Sequence, residues 1–272
     1  MRIYYKNHLN EEVDLDSKNI ILQYHELLNY SWNADTSNGK ISSFYRESAT
    51  IPIKVTVTAD TEETFREVIE NFYSIVEKDV LNRIPGKLYV GEQYMSCYIS
   101  GDIKSDVFLK VFIQVKNLTV VTDNPFWIKE KKISYPIFTG AGNDNFLEYP
   151  YDCLYDYTSK QKGISALNND HYADANFKMT IYGPVVDPII NIGNYPYKVD
   201  TTVEENEYLT IDGTKNTVER TLADGTIISE YNKRSFENSV FRPIPPGNNS
   251  VLWSGDFGWD ITLYQERSEP KW

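Results

Sequence analysis

IPIKVTVTADTEETFREVIENFYSIVEKDV, residues 51–80, is where two hydrophobic periods meet. Over residues 51–58, Ile51, Ile53, Val55 and Val57 alternate with Pro52, Lys54, Thr56 and Thr58, the repeat of a half-buried strand. Pro52 cannot donate to a ladder, so it predicts a sheet edge at the start of that strand. Over 61–80 the repeat lengthens. Phe65, Val68, Ile69, Phe72 and Val76 fall at i, i+3, i+4, i+7 and i+11, one face of a helix. Asp60 is the predicted N-cap, with Glu63 three residues on completing a capping-box-like pair. Glu62 and Glu63 sit where the helix dipole favours negative charge. Pro85-Gly86 requires the helix to end before it. The spacing therefore predicts a helix over 61–80, packed on a sheet made by 51–58 and 107–115.

Working outward, strand patterns dominate. Val107, Leu109, Val111, Ile113 and Val115 share one face of a predicted strand over 107–115. Residues 87–99 read as two shorter strands around Gly91-Glu92. The pattern lapses at Asp123-Asn124-Pro125-Phe126-Trp127, and the Lys-rich, Pro-flanked stretch 128–136 is predicted to be a linker. This divides the chain into an N-terminal β-rich domain, 1–135, and a C-terminal domain, 136–272. The second half alternates at Phe177-Met179-Ile181, then shows strands at 188–192, 208–211, 218–222, 226–231, 250–253 and 259–264. Gly183-Pro184, Gly193-Asn194, Asp212-Gly213 and Asp224-Gly225 punctuate them, the last as a hairpin signal. Short strands at this spacing predict a mainly β chain whose second domain is a β-sandwich or jelly roll.

Composition narrows the function. The 272 residues carry a net charge of −12, with 41% hydrophobic and 24% charged residues, which excludes wholesale disorder. An acidic chain lacks the cationic surface that non-specific DNA binding or recruitment to an anionic membrane requires. No N-terminal apolar h-region and no run of about 18 apolar residues appears, so synthesis in a cytosol is expected. Cys97 and Cys153 form no CxxC pair and read as small buried residues without a disulfide framework. The unusual number is aromatic: 21 Tyr, 12 Phe and 5 Trp, residues that favour strands and interfaces.

No motif for chemistry stands out. Of the three histidines, His8 reads as a hairpin-turn residue and His25 as strand or loop. His171 sits between Asp170 and Asp174 in a polar loop without the spacing of a metal motif. GxSxG, P-loop and GxGxxG patterns are absent, and Gly140-Ala141-Gly142 neither ends a long strand nor opens a helix. Acidic pairs such as Glu204-Glu205 are common in an acidic chain, and a glycosidase needs two carboxylates facing across a cleft. Tyr149, Tyr151, Tyr155 and Tyr157 could stack on sugar rings, but packing or interface roles suit tyrosine better. Trp127, Trp253 and Trp259 read as core or domain-junction residues. The expectation is a protein that is not an enzyme, with no catalytic, cofactor-binding or metal residues and no cofactor. The rival readings are a carbohydrate-binding jelly-roll module and, behind it, a polysaccharide hydrolase.

The order of motifs carries a resemblance. A β-rich domain with one helix is followed by Asp123-Asn124-Pro125-Phe126-Trp127. Then come Ile181-Tyr182-Gly183-Pro184, Asp187-Pro188-Ile189-Ile190, Ile211-Asp212-Gly213 and Ile244-Pro245-Pro246-Gly247-Asn248-Asn249-Ser250-Val251. Over nearly the whole chain this resembles the distal tail protein family of siphophages, also called the baseplate hub or phage tail component family. The resemblance implies an N-terminal domain that forms a hexameric ring continuing the tail tube. It implies a C-terminal galectin-like jelly-roll β-sandwich that projects outward and docks receptor-binding proteins. The implied partners are five further copies in a homo-hexamer, the tail tube protein, the tail-tip or tail-associated protein, and receptor-binding proteins. DNA would pass through the ring without specific binding, and no membrane is involved. The implied location is the virion, at the phage tail tip, after synthesis in the bacterial host cytoplasm.

Overall fold

The computed structural model describes residues 2–108, 111–137 and 163–271. Strands follow the period-2 runs: β1 (Ile3–Lys6), β2 (Glu12–Asp14), β3 (Ile20–His25), β4 (Asn33–Ser37), β5 (Lys40–Tyr45) and β6 (Ala49–Thr58). Helix α1 (Glu62–Asn82) comes next, then β7 (Gly86–Val90), β8 (Gln93–Phe108), β9 (Ile113–Thr122) and β10 (Trp127–Tyr135). The remainder comprises β11 (Gly163–Asn169), β12 (Asn176–Tyr182), β13 (Val185–Val186), β14 (Ile189–Ile192), β15 (Tyr195–Lys198) and β16 (Thr202–Val203). After these come β17 (Tyr208–Asp212), β18 (Thr217–Thr221), β19 (Ile227–Ser229), β20 (Gly247–Trp253) and β21 (Trp259–Arg267). The described residues are thus mainly β with one long helix. The chain forms two compact units: Met1–Lys129 with Glu266–Trp272, and Glu130–Gln265.

In the first unit the antiparallel order is β2-β1-β7-β8, continuing through β8 to β9, β6 and β3. β8 serves both halves. Residues 93–97 pair with β7 and residues 98–108 with β9, and bulges between Ile99/Gly101 and Lys104/Asp106 bend it. α1 packs its apolar face on this sheet. Phe65, Phe72, Ile75 and Val76 are buried, Val68 and Ile69 partly so, against Ile53, Val55, Val57, Leu88, Met95, Ile99 and Val120. Trp127 closes this core, its indole N–H donating to the Leu27 carbonyl.

Three expectations change. The helix is capped by Thr61, which has extended backbone and accepts from the Thr64 N–H at 3.2 Å. Asp60 instead points into solvent toward Lys18. The stretch 107–115 is the end of one strand and the start of the next. β8 stops at Phe108, β9 begins at Ile113, and Phe112 has φ 49°. The alternation is real but runs through a turn that no Gly or Pro announces, and Leu109 and Lys110 lie outside the described residues. The stretch 128–136 is strand β10 over nearly all its length, not a linker. Its lysines point out of the strand into ion pairs, Lys129 with Glu92, Lys131 with Asp170 and Lys132 with Asp260, at 2.8, 2.7 and 3.0 Å. Pro52 stands just past the last β3 partner, His25↔Ile53, where its missing N–H costs no ladder bond to β3.

Among the described residues the second unit has two larger antiparallel sheets sharing one core, with the short pair β13–β16 beside them. One runs β21-β12-β17-β18-β19, the other β11-β20-β14-β15. Phe177, Met179 and Ile181 of β12, Leu209 and Ile211 of β17 and Ile261 and Leu263 of β21 face Leu167, Ile190, Ile192, Tyr197 and Val251. The β14–β15 turn has Gly193 and Asn194 both at positive φ, the requirement of a two-residue primed turn. Trp253 and Trp259 are buried beside Tyr135, whose ring stacks on Trp259 at 4.2 Å.

Candidate functional site

Of the polar groups that the sequence suggested for chemistry, His8 and Asp170 are taken up in structural pairings, while the Nδ1 of His25 has no hydrogen-bond partner. His8 lies in the β1–β2 turn and contacts Asp79, the last buried residue of α1, through both its backbone N–H and its ring Nδ1. The Tyr5 hydroxyl donates to the same carboxylate at 2.6 Å, and burial holds that hydroxyl far above its ordinary pKa, so it remains a donor. Gly86 passes so close to Asp79 and Tyr5 that a Cβ there would collide with both. Cys97 lies in the same core, where burial pushes its thiol up to about 12, the setting of an inert cysteine. His25 is half-buried in β3, with its pKa lowered by desolvation.

His171 is buried against Tyr172, and its neighbour Asp170 is engaged by Lys131 at 2.7 Å and Gln265 at 2.9 Å. Among the described residues no three of His, Cys, Asp and Glu are grouped to hold a metal ion. Glu204 and Glu205 are both exposed. Glu207 and Glu230 share one cation, Arg220. Each is held at 3.0 Å by Arg220, with Lys233 a further 2.7 Å from Glu230, an arrangement for ion pairing rather than proton transfer. Cys153, Gly140-Ala141-Gly142 and Tyr149, Tyr151, Tyr155 and Tyr157 lie outside the described residues. No helix among the described residues is long and apolar enough to cross a membrane.

The candidate sites are therefore surfaces. In the first unit, Phe65, Ile69 and Phe112 line an open depression of about 360 Å³ rimmed by Glu62, Arg66 and Glu70. A second of about 310 Å³ runs between α1 and β8, with Phe72, Val76, Leu81 and Ile99 on its walls and Asp102 at one side. Asp102 and the fully buried Lys116 pair at 2.7 Å, and the Tyr73 hydroxyl joins them. In the second unit a groove of about 500 Å³ lies between Pro184–Ile189 and Ser254–Phe257, with Asp187 and Asp256 among its residues. Hairpin β4–β5 adds the exposed Ile41, Phe44 and Tyr45. It went unanticipated in the sequence reading, although Asn38-Gly39, both at positive φ, is a sequence signal for such a turn.

No family model and no curated protein sequence matches this chain. Solved structures do. A chain of the phage P2 baseplate in its activated conformation with calcium matches at TM-score 0.61 and 12% identity, covering 99% of both chains. The strontium form matches at 0.60 and 13%, again over 99% of both. The Dit protein of phage SPP1, described as a paradigm of the hub adsorption apparatus in phages infecting Gram-positive bacteria, matches at 0.59 and 11% over 98% of both. At these identities the likeness is one of fold, and it includes both units. The resemblance carried by the ordered motifs thus holds at the level where it can be tested: over almost its entire length the chain has the fold of phage hub and baseplate proteins.

Proposed function

We propose that this chain is a structural phage tail protein, a distal-tail hub that joins the tail tube to the tail tip. Six copies form a ring through the N-terminal unit. The C-terminal unit, a galectin-like jelly roll, docks receptor-binding components. The ring also seats a tail-tip protein, and DNA passes through it without specific binding. The protein catalyses no reaction and resides in the virion after synthesis in the host cytoplasm. The observation that carries this reading is the match over 98–99% of the chain to hub and baseplate chains, which takes in both units in one order. The surfaces support it: Asp79, Glu207 and Glu230 are spent on internal pairing, while apolar side chains such as Ile41 and Phe44 in the first unit and Ile164 and Phe236 in the second remain uncovered.

The test is mass in solution. Six chains of 31.5 kDa make 6 × 31.5 = 189 kDa, which light scattering after size exclusion separates from 31.5 kDa without ambiguity. Electron micrographs of that fraction should show six-fold rings with a central hole. A monomer at every concentration, alone and when mixed with tail-tube and tail-tip proteins from the same phage, would overturn the reading.

A further inference from the structure

Two arginines of the second unit rest on aromatic rings instead of carboxylates. Carboxylates are in surplus in this chain, 39 against 27 Lys and Arg, and Arg2, Arg66 and Arg220 each pair with one. Arg234 and Arg242 form no ion pair among the described residues. The Arg234 guanidinium lies 3.7 Å from the ring centroid of Tyr231 and 4.7 Å from that of Phe236. Tyr231 in turn stacks on Phe241, the two planes 19° apart, and the Arg242 guanidinium lies 4.4 Å over the Tyr195 ring.

The segment that carries them, 231–242, is fixed in place. The Arg234 backbone bridges to Val199, and the Ser235 N–H donates to the Lys198 carbonyl at 3.0 Å. The hydroxyls of Tyr195 and Tyr197 donate to the carbonyls of Ser239 and Arg242 at 3.1 and 2.8 Å. Four contacts thus anchor the segment at and just beyond β15. The guanidinium is held as firmly. One of its five N–H groups donates to the Tyr231 carbonyl at 2.6 Å, and the others have no acceptor among the described residues. The rings beside it are bare: Phe236 is 75% exposed and Tyr231 40%. Lys233 is taken by Glu230 at 2.7 Å, which leaves Arg234 and Arg242 against the single acid of the segment, Glu237. The result is a preorganised cationic fork beside open aromatic faces.

Each half of that arrangement selects a chemistry. A planar guanidinium with free N–H groups matches the two oxygens of a carboxylate or phosphate. A bare aromatic face takes the flat C–H face of a pyranose ring, apolar against apolar, while the sugar hydroxyls stay outward. Arginine and aromatic residues also anchor protein interfaces, but the core of such an interface is poor in serine and other small polar groups. Here the rings alternate along the chain with Asn232, Ser235, Asn238 and Ser239, which suits a ligand rich in hydroxyls. We propose that segment 231–242 is a binding platform for an anionic saccharide. A pyranose ring lies on Phe236 or Tyr231, its carboxylate or phosphate takes the free edge of Arg234, and Arg242 supplies a second cation. This platform does not depend on ring assembly.

The test is calorimetric titration of the full chain with tetragalacturonate, a carboxylated sugar, and with glucose 6-phosphate, a phosphorylated one. Cellotetraose and inorganic phosphate are the neutral-sugar and sugar-free controls. At least one anionic sugar should bind more tightly than both controls, and which one does separates carboxylate from phosphate recognition. Arg234→Gln and Phe236→Ala should each weaken that binding by at least about ten-fold, the loss of one charge-assisted bond or one stacked face. Both alter side chains at the surface, so circular dichroism and the thermal midpoint should match wild type. No binding of either anionic sugar would overturn the inference, as would cellotetraose or phosphate binding equally well. Binding that survives in both folded variants would place the sugar elsewhere and overturn it too. Loss of association with tail proteins of the same phage in Arg234→Gln, with no sugar bound by wild type, would give the patch to a protein partner instead. Each of these failures leaves the hub reading standing.

Discussion

Asp79 shows how one buried carboxylate can hold three segments together. It has no exposed surface, and it ties the end of α1 to β1 through Tyr5 and to the β1–β2 turn through His8. Asp79→Ala would leave the buried Tyr5 hydroxyl only the longer bond to the Cys97 carbonyl, 3.3 Å, and would take the acceptor from the part-buried His8 groups. It should cost about 3 kcal/mol, read as a lower urea midpoint at unchanged slope. The Lys116–Asp102 pair behaves differently. Burial lowers the Lys116 pKa against the opposing pull of Asp102, so desolvation takes back much of what the pairing contributes. Lys116→Met or Asp102→Leu alone should each cost about 3–5 kcal/mol, by stranding the partner. The double variant should lose far less than the sum, and strict additivity in the cycle would show the pair to be uncoupled. Asp170 gives a pH signature. Hydrogen bonds from Lys131 and then Gln265 hold its carboxyl well below the usual range. A depressed folded-state pKa contributes stability that is present above the unfolded value of about 4 and is lost as pH falls through the lower folded value. Because the side chain is 60% exposed, solvent screens the contribution to under about 1 kcal/mol. Asp170→Asn should therefore flatten the stability curve below about pH 4 and leave its slope between about pH 7 and 9 unchanged.

At the scale of the element, α1 has a well-defined phase and a start that its pattern does not locate to the residue. The buried stripe Phe65, Phe72, Ile75 and Val76 sets which face meets the sheet. Thr61, not Asp60, satisfies the free N–H of the first turn. Thr61→Ala should then cost about 0.5–2 kcal/mol, whereas Asp60→Ala should stay within about 0.5 kcal/mol of wild type. Phe72→Ala removes a fully buried ring and should cost about 3–5 kcal/mol. If Asp60→Ala proved the costlier of the two cap changes in chemical denaturation, the cap would be misplaced. β10 makes a related point: three lysines within four residues look like a linker until each is seen as the outward position of a strand with its own carboxylate partner.

For the whole molecule, the chain enters the second unit along β10 and returns to the first along β21. The returning segment is tied down by two hydrogen bonds between Gln93 and Lys271, each 3.2 Å. Deleting 268–272 should lower the stability of the first unit by about 1–2 kcal/mol, seen as faster amide exchange in β7 and β8, with β12 and β17 unaffected. Assembly should respond to salt in the opposite sense to an ion-pair interface. Six chains carry 6 × −12 = −72, and raising salt from 0.1 to 1 M shortens the Debye length from about 10 to about 3 Å. Screening then weakens long-range repulsion while leaving apolar burial intact, so the 189 kDa species should hold or increase. Dissociation on adding salt would show that ion pairs between subunits dominate instead.

Some of this was legible in residue order alone. The β-rich class, the helix and its buried face, the β7–β8 hairpin and the alternating strands of the second half all follow from periods of 2 and 3.6, which are properties of a few consecutive side chains. The buried Trp127, Trp253 and Trp259 follow from size and apolarity. The turn inside 107–115 did not follow, because Phe112 adopts its left-handed backbone with no glycine to mark it. Nor did the meeting of Tyr5, His8 and Asp79 across more than 70 positions, or the outward ion pairs of β10. Ile41 and Phe44 mark the limit most clearly. Their residue types predict burial, and only the packing of the whole chain leaves them bare. Local sequence sets what each segment can be; which segments meet, and which apolar face is left without a partner, depends on long-range pairing that no short stretch encodes.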